Sequence, residues 1–228
     1  MSTEWNYKMQ NKPVVLFDID YTLFDKDIFL DSLFISVGNL FGMERNEITE
    51  IGKLAYKENI VELDHFDPKY FSLKIAENLD KLQDLARIED LVLEKYNNPE
   101  SLYPETLDTV NKISEIATVG IFSKGHDRFQ KNKINKFRHL LKEDHIYITN
   151  NKYEALQRIA DKYSGVKLYL VDDLLDILYS AKKLKADIMT IWVKRGIYAK
   201  NQEAISGFSP DAEIENLSEV VKIVKSNL

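Results

Sequence analysis

The chain has no cysteine. That removes disulfides, thiolate metal sites and a cysteine nucleophile, and it fits a reducing cytosol. Glycine and proline are scarce, at eight and five of 228 residues, and no flexible Gly/Ser linker, low-complexity tract or internal repeat is found. The sequence has no Gly-x-x-x-x-Gly-Lys-Ser/Thr loop and no Gly-x-Gly-x-x-Gly turn, so nucleoside triphosphate and dinucleotide sites of those kinds are not expected. The four histidines, His65, His126, His139 and His145, lack a zinc spacing. No apolar run approaches the roughly 20 residues of a spanning helix. The opening residues Met1 to Asn6 show neither the basic nor the apolar part of a signal peptide. Positive charge is also in deficit: 31 Lys and Arg stand against 37 Asp and Glu, a net charge of −6. This argues against non-specific binding to nucleic acid or to a membrane surface. The expected setting is cytoplasmic, with oligomeric state left open.

What the chain does have is a globular composition, 44% hydrophobic and 30% charged. A chain of this length folds as one domain, or as one domain carrying a sizeable insertion, and buries about 70% of its unfolded surface. Four short apolar runs share one design. Pro13–Phe17 leads into Asp18, Ala117–Phe122 into Ser123, Lys167–Val171 into Asp172, and Ile188–Val193 into Lys194. Such runs suit strands buried on both faces, and Ile146–Ile148 is a shorter fifth candidate. Amphipathic segments lie between them, at Pro104–Ile116, Tyr153–Tyr163, Leu174–Leu184 and Ser218–Val224. Alternating strands and helices predict an α/β fold, a Rossmann-like open parallel sheet with helices on both faces. Right-handed crossovers would put all the carboxyl ends of the strands, and the polar residues that end them, at one crevice.

The pattern breaks between about Phe24 and Ser101. Helical periodicity replaces strand runs there, with Ile28, Leu33, Phe34, Val37, Leu40 and Phe41 as one example, and four or so helices are expected. The expected organisation is a core of residues 1–23 and 102–228 with a helical insertion at 24–101. The insertion holds 9 basic and 17 acidic residues, so it is an acidic lobe on a slightly basic sheet domain.

The strand ends carry the chemistry. Asp18 and Asp20 are two residues apart, and carboxylates so placed need a compensating charge if buried. A divalent cation would supply it, with Mg²⁺ preferred by hard oxygen ligands. One carboxylate could attack phosphorus and the other move a proton. The alternative is a turn or helix cap built from Asp and Thr22. Asp172, Asp173 and Asp176 cluster after the third run; a solvated helix start accounts for acids in a first turn, but not for Asp172 directly ending so apolar a run. Ser123-Lys124-Gly125 could hold phosphate oxygens with a hydroxyl and backbone N–H groups. Lys152, taken singly, reads as a surface charge.

In this order the pieces resemble the haloacid dehalogenase (HAD) superfamily. Its motif Asp-x-Asp-x-Thr matches Asp18, Asp20 and Thr22; its later Ser or Thr matches Ser123; its Lys before a helix matches Lys152; its acidic pair matches Asp172 and Asp176, with Asp173 as an alternate. The resemblance spans residues 13 to 217, and the insertion resembles the cap domain of one branch. It implies a hydrolase in which Asp18 is nucleophile and Mg²⁺ ligand. Asp20 would be general acid and base, its carbonyl also on the metal, and Thr22 would orient the loop. Ser123, Lys124 and Lys152 would bind the substrate phosphate. Asp172 would hold the metal with Asp173 or Asp176 in support. Tyr21, Val171 and Lys124 depart from residues common in relatives. Asp20 argues against the branch that processes haloalkanoates.

The function expected is therefore a Mg²⁺-dependent phosphatase acting on a small phosphorylated metabolite, with cap closure hinged near Phe24–Asp25 and Ser101–Tyr103. A phosphotransferase or mutase of the same fold, and a catalytically silent binding protein, are the alternatives. His126 reads as a surface turn residue. Tyr56, Phe66, Tyr70 and Phe71 read as core at helical spacing, with a substrate pocket as the other use.

Overall fold

The computed structural model describes residues 12–63, 65–185 and 187–228; the Met1–Asn6 segment lies outside them. Among these residues six strands form one parallel sheet: β1 (Val14–Phe17), β2 (Thr118–Lys124), β3 (Ile146–Thr149), β4 (Leu168–Asp172), β5 (Met189–Val193) and β6 (Ala212–Ile214), in the order β3-β2-β1-β4-β5-β6. Ten α-helices accompany them among the described residues: α1 (Lys26–Phe41), α2 (Arg45–Leu63), α3 (Pro68–Asn78), α4 (Leu85–Asn97), α5 (Thr106–Ile116), α6 (Asp127–Lys133), α7 (Lys152–Lys162), α8 (Leu175–Leu184), α9 (Gly196–Asn201) and α10 (Glu219–Lys225). No helix among the described residues is long and apolar enough to cross a membrane.

Strand β6 has no apolar run behind it. Its three residues Ala-Glu-Ile alternate, as an edge strand with one wet face does, and the run-based reading passes over it. Strand β2 extends past the apolar run through Ser123 to Lys124.

The chain divides into two compact units. One comprises the described residues up to Asp25 with Leu102–Lys124 and Ile134–Leu228, and holds the whole sheet. The other comprises Lys26–Ser101 with Gly125–Lys133. The second therefore gains α6 beyond the expected 24–101. Side-chain packing explains this: Phe129 on α6 meets Tyr96 on α4 edge-on at 5.2 Å, Asn132 donates to the Tyr96 carbonyl at 3.0 Å, and Arg128 donates to Asn97 at 2.8 Å. Within that unit Asp67 caps α3, accepting from the Tyr70 N–H at 2.8 Å with Pro68 in the first turn. Phe71 is fully buried against Phe34 and Phe66, and Tyr56 stacks on Phe66 half-buried.

Within the sheet unit, pleat and register determine the site. Val14 and Leu16 of β1 and Leu168 and Leu170 of β4 face one side, where they pack with Leu156 and Ile159 of α7 and Leu178 of α8. One more step of two residues brings Asp18 and Asp172 to that side. Phe17 lies opposite Val171, and the Asp18 N–H donates to the Val171 carbonyl at 2.9 Å. Gly120 lets β2 lie close to its neighbours, since a Cβ there would stand 2.6 Å from both the His145 carbonyl and the Leu16 side chain.

After β1 the chain folds on itself. Leu23 and Phe24 donate to the Ile19 carbonyl and Tyr21 donates to that of Phe24. Tyr21 takes φ +62°, a left-handed conformation costing a side-chain-bearing residue about 1–2 kcal/mol. Its ring is buried against Gly196, itself at φ +66°, where an added Cβ would come within 2.2 Å of the ring. Gly196→Ala is accordingly expected to cost about 1–3 kcal/mol in urea unfolding. An unchanged midpoint would show that this contact does not hold the loop.

Candidate active site

Asn151 starts the site from below. Its side chain accepts from the N–H groups of Tyr153 and Glu154, capping α7. The cap places Lys152 as the first helical residue, pointing back at the sheet edge. Its ammonium donates to Asp18 Oδ1 at 2.5 Å and to Asp172 Oδ2 at 2.7 Å, and lies 5.2 Å from the Phe122 ring centroid. The side chains of Lys152, Asp18 and Asp172 are 4%, 7% and 0% exposed. The surface-charge reading of Lys152 is thereby corrected: the residue is a buried cation between two strand ends.

A third carboxylate joins them. Asp18, Asp172 and Asp173 each offer an oxygen, and the three oxygens lie within 4.8 Å of one another. One ammonium thus faces three buried carboxylates. Burial, reinforced by Asp172 and Asp20 and opposed by Lys152, pushes Asp18 up to about 7. Burial and then Asp172 and Asp18 push Asp173 well above the carboxylate range. Burial would lower Lys152, but Asp172 and Asp18 outweigh it and hold the ammonium above its usual value. The pair is unequal because the lysine has two carboxylates while each carboxylate has a share of one lysine. Asp173 Oδ2 is buried with no hydrogen-bond partner among the described residues. A buried oxygen without a donor, in a cluster short of positive charge, is what a hard divalent cation would complete, so the residues present fit Mg²⁺.

The other expected residues fall as follows. Asp20 is half-buried on the loop after β1, near enough to Asp18 to perturb it. Ser123 is buried near the end of β2, and Lys124 after it is exposed. Asp176 is exposed on α8 and outside the converging set, so Asp173, given as the alternate, is the acid that joins Asp18 and Asp172. Counting i, i+4 on a helix misled here, because α8 begins only at Leu175 and Asp173 lies in the turn before it. Thr22 is fully buried, but its hydroxyl has no hydrogen-bond partner among the described residues; backbone bonds brace the loop instead. His126 is exposed beside Phe129, as a turn residue.

No family model matches the chain, and no curated protein matches it by sequence. Solved structures do match it. A haloacid dehalogenase-like hydrolase from Burkholderia xenovorans superposes with TM-score 0.72 at 24% identity, over 95% of this chain and 98% of that one. The L-2-haloacid dehalogenase from Xanthobacter autotrophicus with chloropropionic acid covalently bound gives 0.60 at 14% identity, over 96% and 100%. The HAD-hydrolase YfnB from Bacillus subtilis, bound to magnesium, gives 0.59 at 13%, over 94% and 99%. The fold is that of the HAD-like hydrolases. In this HAD-like fold the cluster sits at the carboxyl ends of β1 and β4, the central strands, where parallel sheets bind ligands.

A pH dependence follows from Asp18. The carboxyl keeps its proton to about pH 7 in the folded chain, against 3.8 ordinarily. Between these values the folded state binds more protons than the unfolded, so stability falls as pH rises from about 4 through 7. In chelator the urea midpoint is expected to drop between pH 5 and pH 8, and Asp18→Asn to flatten the drop. A midpoint that rises over that range in the wild type would contradict this electrostatic picture.

Proposed function

We propose that the chain is a Mg²⁺-dependent phosphatase that hydrolyses a small phosphomonoester through an aspartyl-phosphate on Asp18. The observation that carries this reading is the acid pair on the loop after β1: Asp18 is held by Lys152 among buried carboxylates, and Asp20 stands two residues on, less buried. Two carboxyl groups in such unequal environments suit two roles, nucleophile and proton carrier.

Asp18, Asp172 and Asp173 would hold Mg²⁺ through side chains, and Asp20 through its carbonyl. When bound, the ion would supply the positive charge that keeps these acids ionised and offsets the charge of the phosphate. The Asp18 carboxylate attacks phosphorus and the ester P–O bond breaks. Asp20 gives its proton to the departing oxygen. Asp20 then takes a proton from a water that attacks the same phosphorus, releasing inorganic phosphate and restoring Asp18. Ser123 and Lys124, at the end of β2, would bind phosphoryl oxygens, and Lys152 would keep Asp18 oriented while offsetting charge. The partner is a small phosphorylated metabolite in the cytoplasm, not nucleic acid or membrane. Transfer to a substrate hydroxyl in place of water would use the same groups.

Some structures of this fold are L-2-haloacid dehalogenases, which gives a second reading. Chemistry separates the two. Halide leaves without a proton, so a general acid beside the nucleophile has no task in the first step of dehalogenation, whereas an alkoxide leaving group needs one.

The test is turnover of p-nitrophenyl phosphate and of 2-chloropropionate, with Mg²⁺ and with chelator. Phosphate release that needs Mg²⁺, vanishes in Asp18→Asn and falls about 10²–10⁴-fold in Asp20→Asn is expected. Full turnover by Asp18→Asn would overturn the reading, and chloride release without Mg²⁺ would replace it with dehalogenation.

A further inference from the structure

The turn that carries Asp172 and Asp173 is short of local support. Helix α8 starts with Leu174 as its N-cap, and no side chain of that residue caps it. Asp172 satisfies one donor itself, its Oδ1 accepting from the Leu174 N–H at 3.0 Å while Oδ2 holds Lys152. The next donor and the Asp173 carbonyl are met from elsewhere. Gln202, half-buried just past α9, accepts from the Leu175 N–H through Oε1 at 2.7 Å and donates through Nε2 to the Asp173 carbonyl at 2.7 Å. Trp192 adds a second donor, its indole N–H lying 3.0 Å from the same carbonyl. The parallel register puts Trp192 opposite Asp172, which brings the indole beneath the turn.

We propose that Gln202 is a positioning residue for the acidic cluster: its amide latches the Asp173–Leu175 backbone, with Trp192 as second donor, so that the Asp172 and Asp173 carboxylates converge. A primary amide is suited to this task because it offers one acceptor and one donor on a single planar group. Here the acceptor meets a helix-start N–H and the donor a carbonyl two residues earlier. Leucine keeps much of the bulk and loses both bonds. Glutamate keeps the acceptor, but turns the donor into an oxygen facing the Asp173 carbonyl. The inference rests on the Mg²⁺ reading above for the use of the cluster, not for the latch itself.

Two measurements on the full chain test it: amide hydrogen exchange at Leu175 in chelator, and Mg²⁺ titration by calorimetry. Gln202→Leu is expected to speed Leu175 exchange about fivefold or more, as loss of one hydrogen bond does. Both Gln202→Leu and Gln202→Glu are expected to weaken Mg²⁺ binding about 10–100-fold, the usual effect of removing a group that orients a metal ligand. The glutamate variant is decisive. An added negative charge near the cluster would tighten cation binding by field alone, so weaker binding reports geometry. Trp192→Phe keeps a ring and removes one donor to Asp173; a smaller loss of affinity with unchanged Leu175 exchange is expected. Wild-type Leu175 exchange in Gln202→Leu, or tighter Mg²⁺ binding in Gln202→Glu, would overturn the latch. Failure of the wild-type chain to bind Mg²⁺ would overturn the function proposed above, and Leu175 exchange would then decide the latch alone.

Discussion

A single ammonium shared by two strand ends is the interaction on which the rest depends. Lys152 reaches from the first turn of α7 to Asp18 beyond β1 and Asp172 at the end of β4. Without it the two central strands would end in adjacent, buried, like charges. Removing one partner of a buried ionic set costs about 3–5 kcal/mol, because the others are left uncompensated. The set is nevertheless poorly balanced, since Asp173 adds a third carboxyl group, and both it and Asp18 are pushed up in spite of Lys152. A cluster optimised for stability alone would have been neutral or apolar. The imbalance is the strongest physical sign that the site is built to receive positive charge.

The supports of this cluster are spread along the chain. Asn151 orients Lys152 by capping α7, Val171 takes the Asp18 N–H, and Gln202 and Trp192 hold the turn after β4. The loop after β1 is stiffened by backbone bonds back to Ile19 and by the Tyr21 ring against Gly196. The strain at Tyr21 is offset by that buried contact.

Much of this was legible in the sequence, for identifiable reasons. Buried parallel strands appear as unbroken β-branched runs, so β1, β2, β4 and β5 were visible and with them the α/β class. A polar residue directly after such a run has to lie at the sheet edge, which singled out Asp18, Ser123 and Asp172. Strand β6 was not legible, because a three-residue edge strand with one exposed face carries too little apolar signal. The grouping of α6 with the helical unit depends on Tyr96 and Phe129 meeting, and no local pattern encodes that. The choice between Asp173 and Asp176 turned on where α8 begins, and helix boundaries are the weakest part of any pattern reading. Gln202 belongs to no motif, and its part appears only once α9 brings it to the turn.

The proposal that a divalent cation completes a cluster of three carboxyl groups served by one ammonium is open to a single check, thermal unfolding at pH 8. A saturable rise in Tm with Mg²⁺ is expected in the wild type, as binding to the folded state alone requires. Asp173→Asn is expected to raise the metal-free Tm, by removing an uncompensated buried acid, and to lose most of the response to Mg²⁺. A wild-type Tm indifferent to Mg²⁺, with Asp173→Asn less stable than the wild type in chelator, would contradict it.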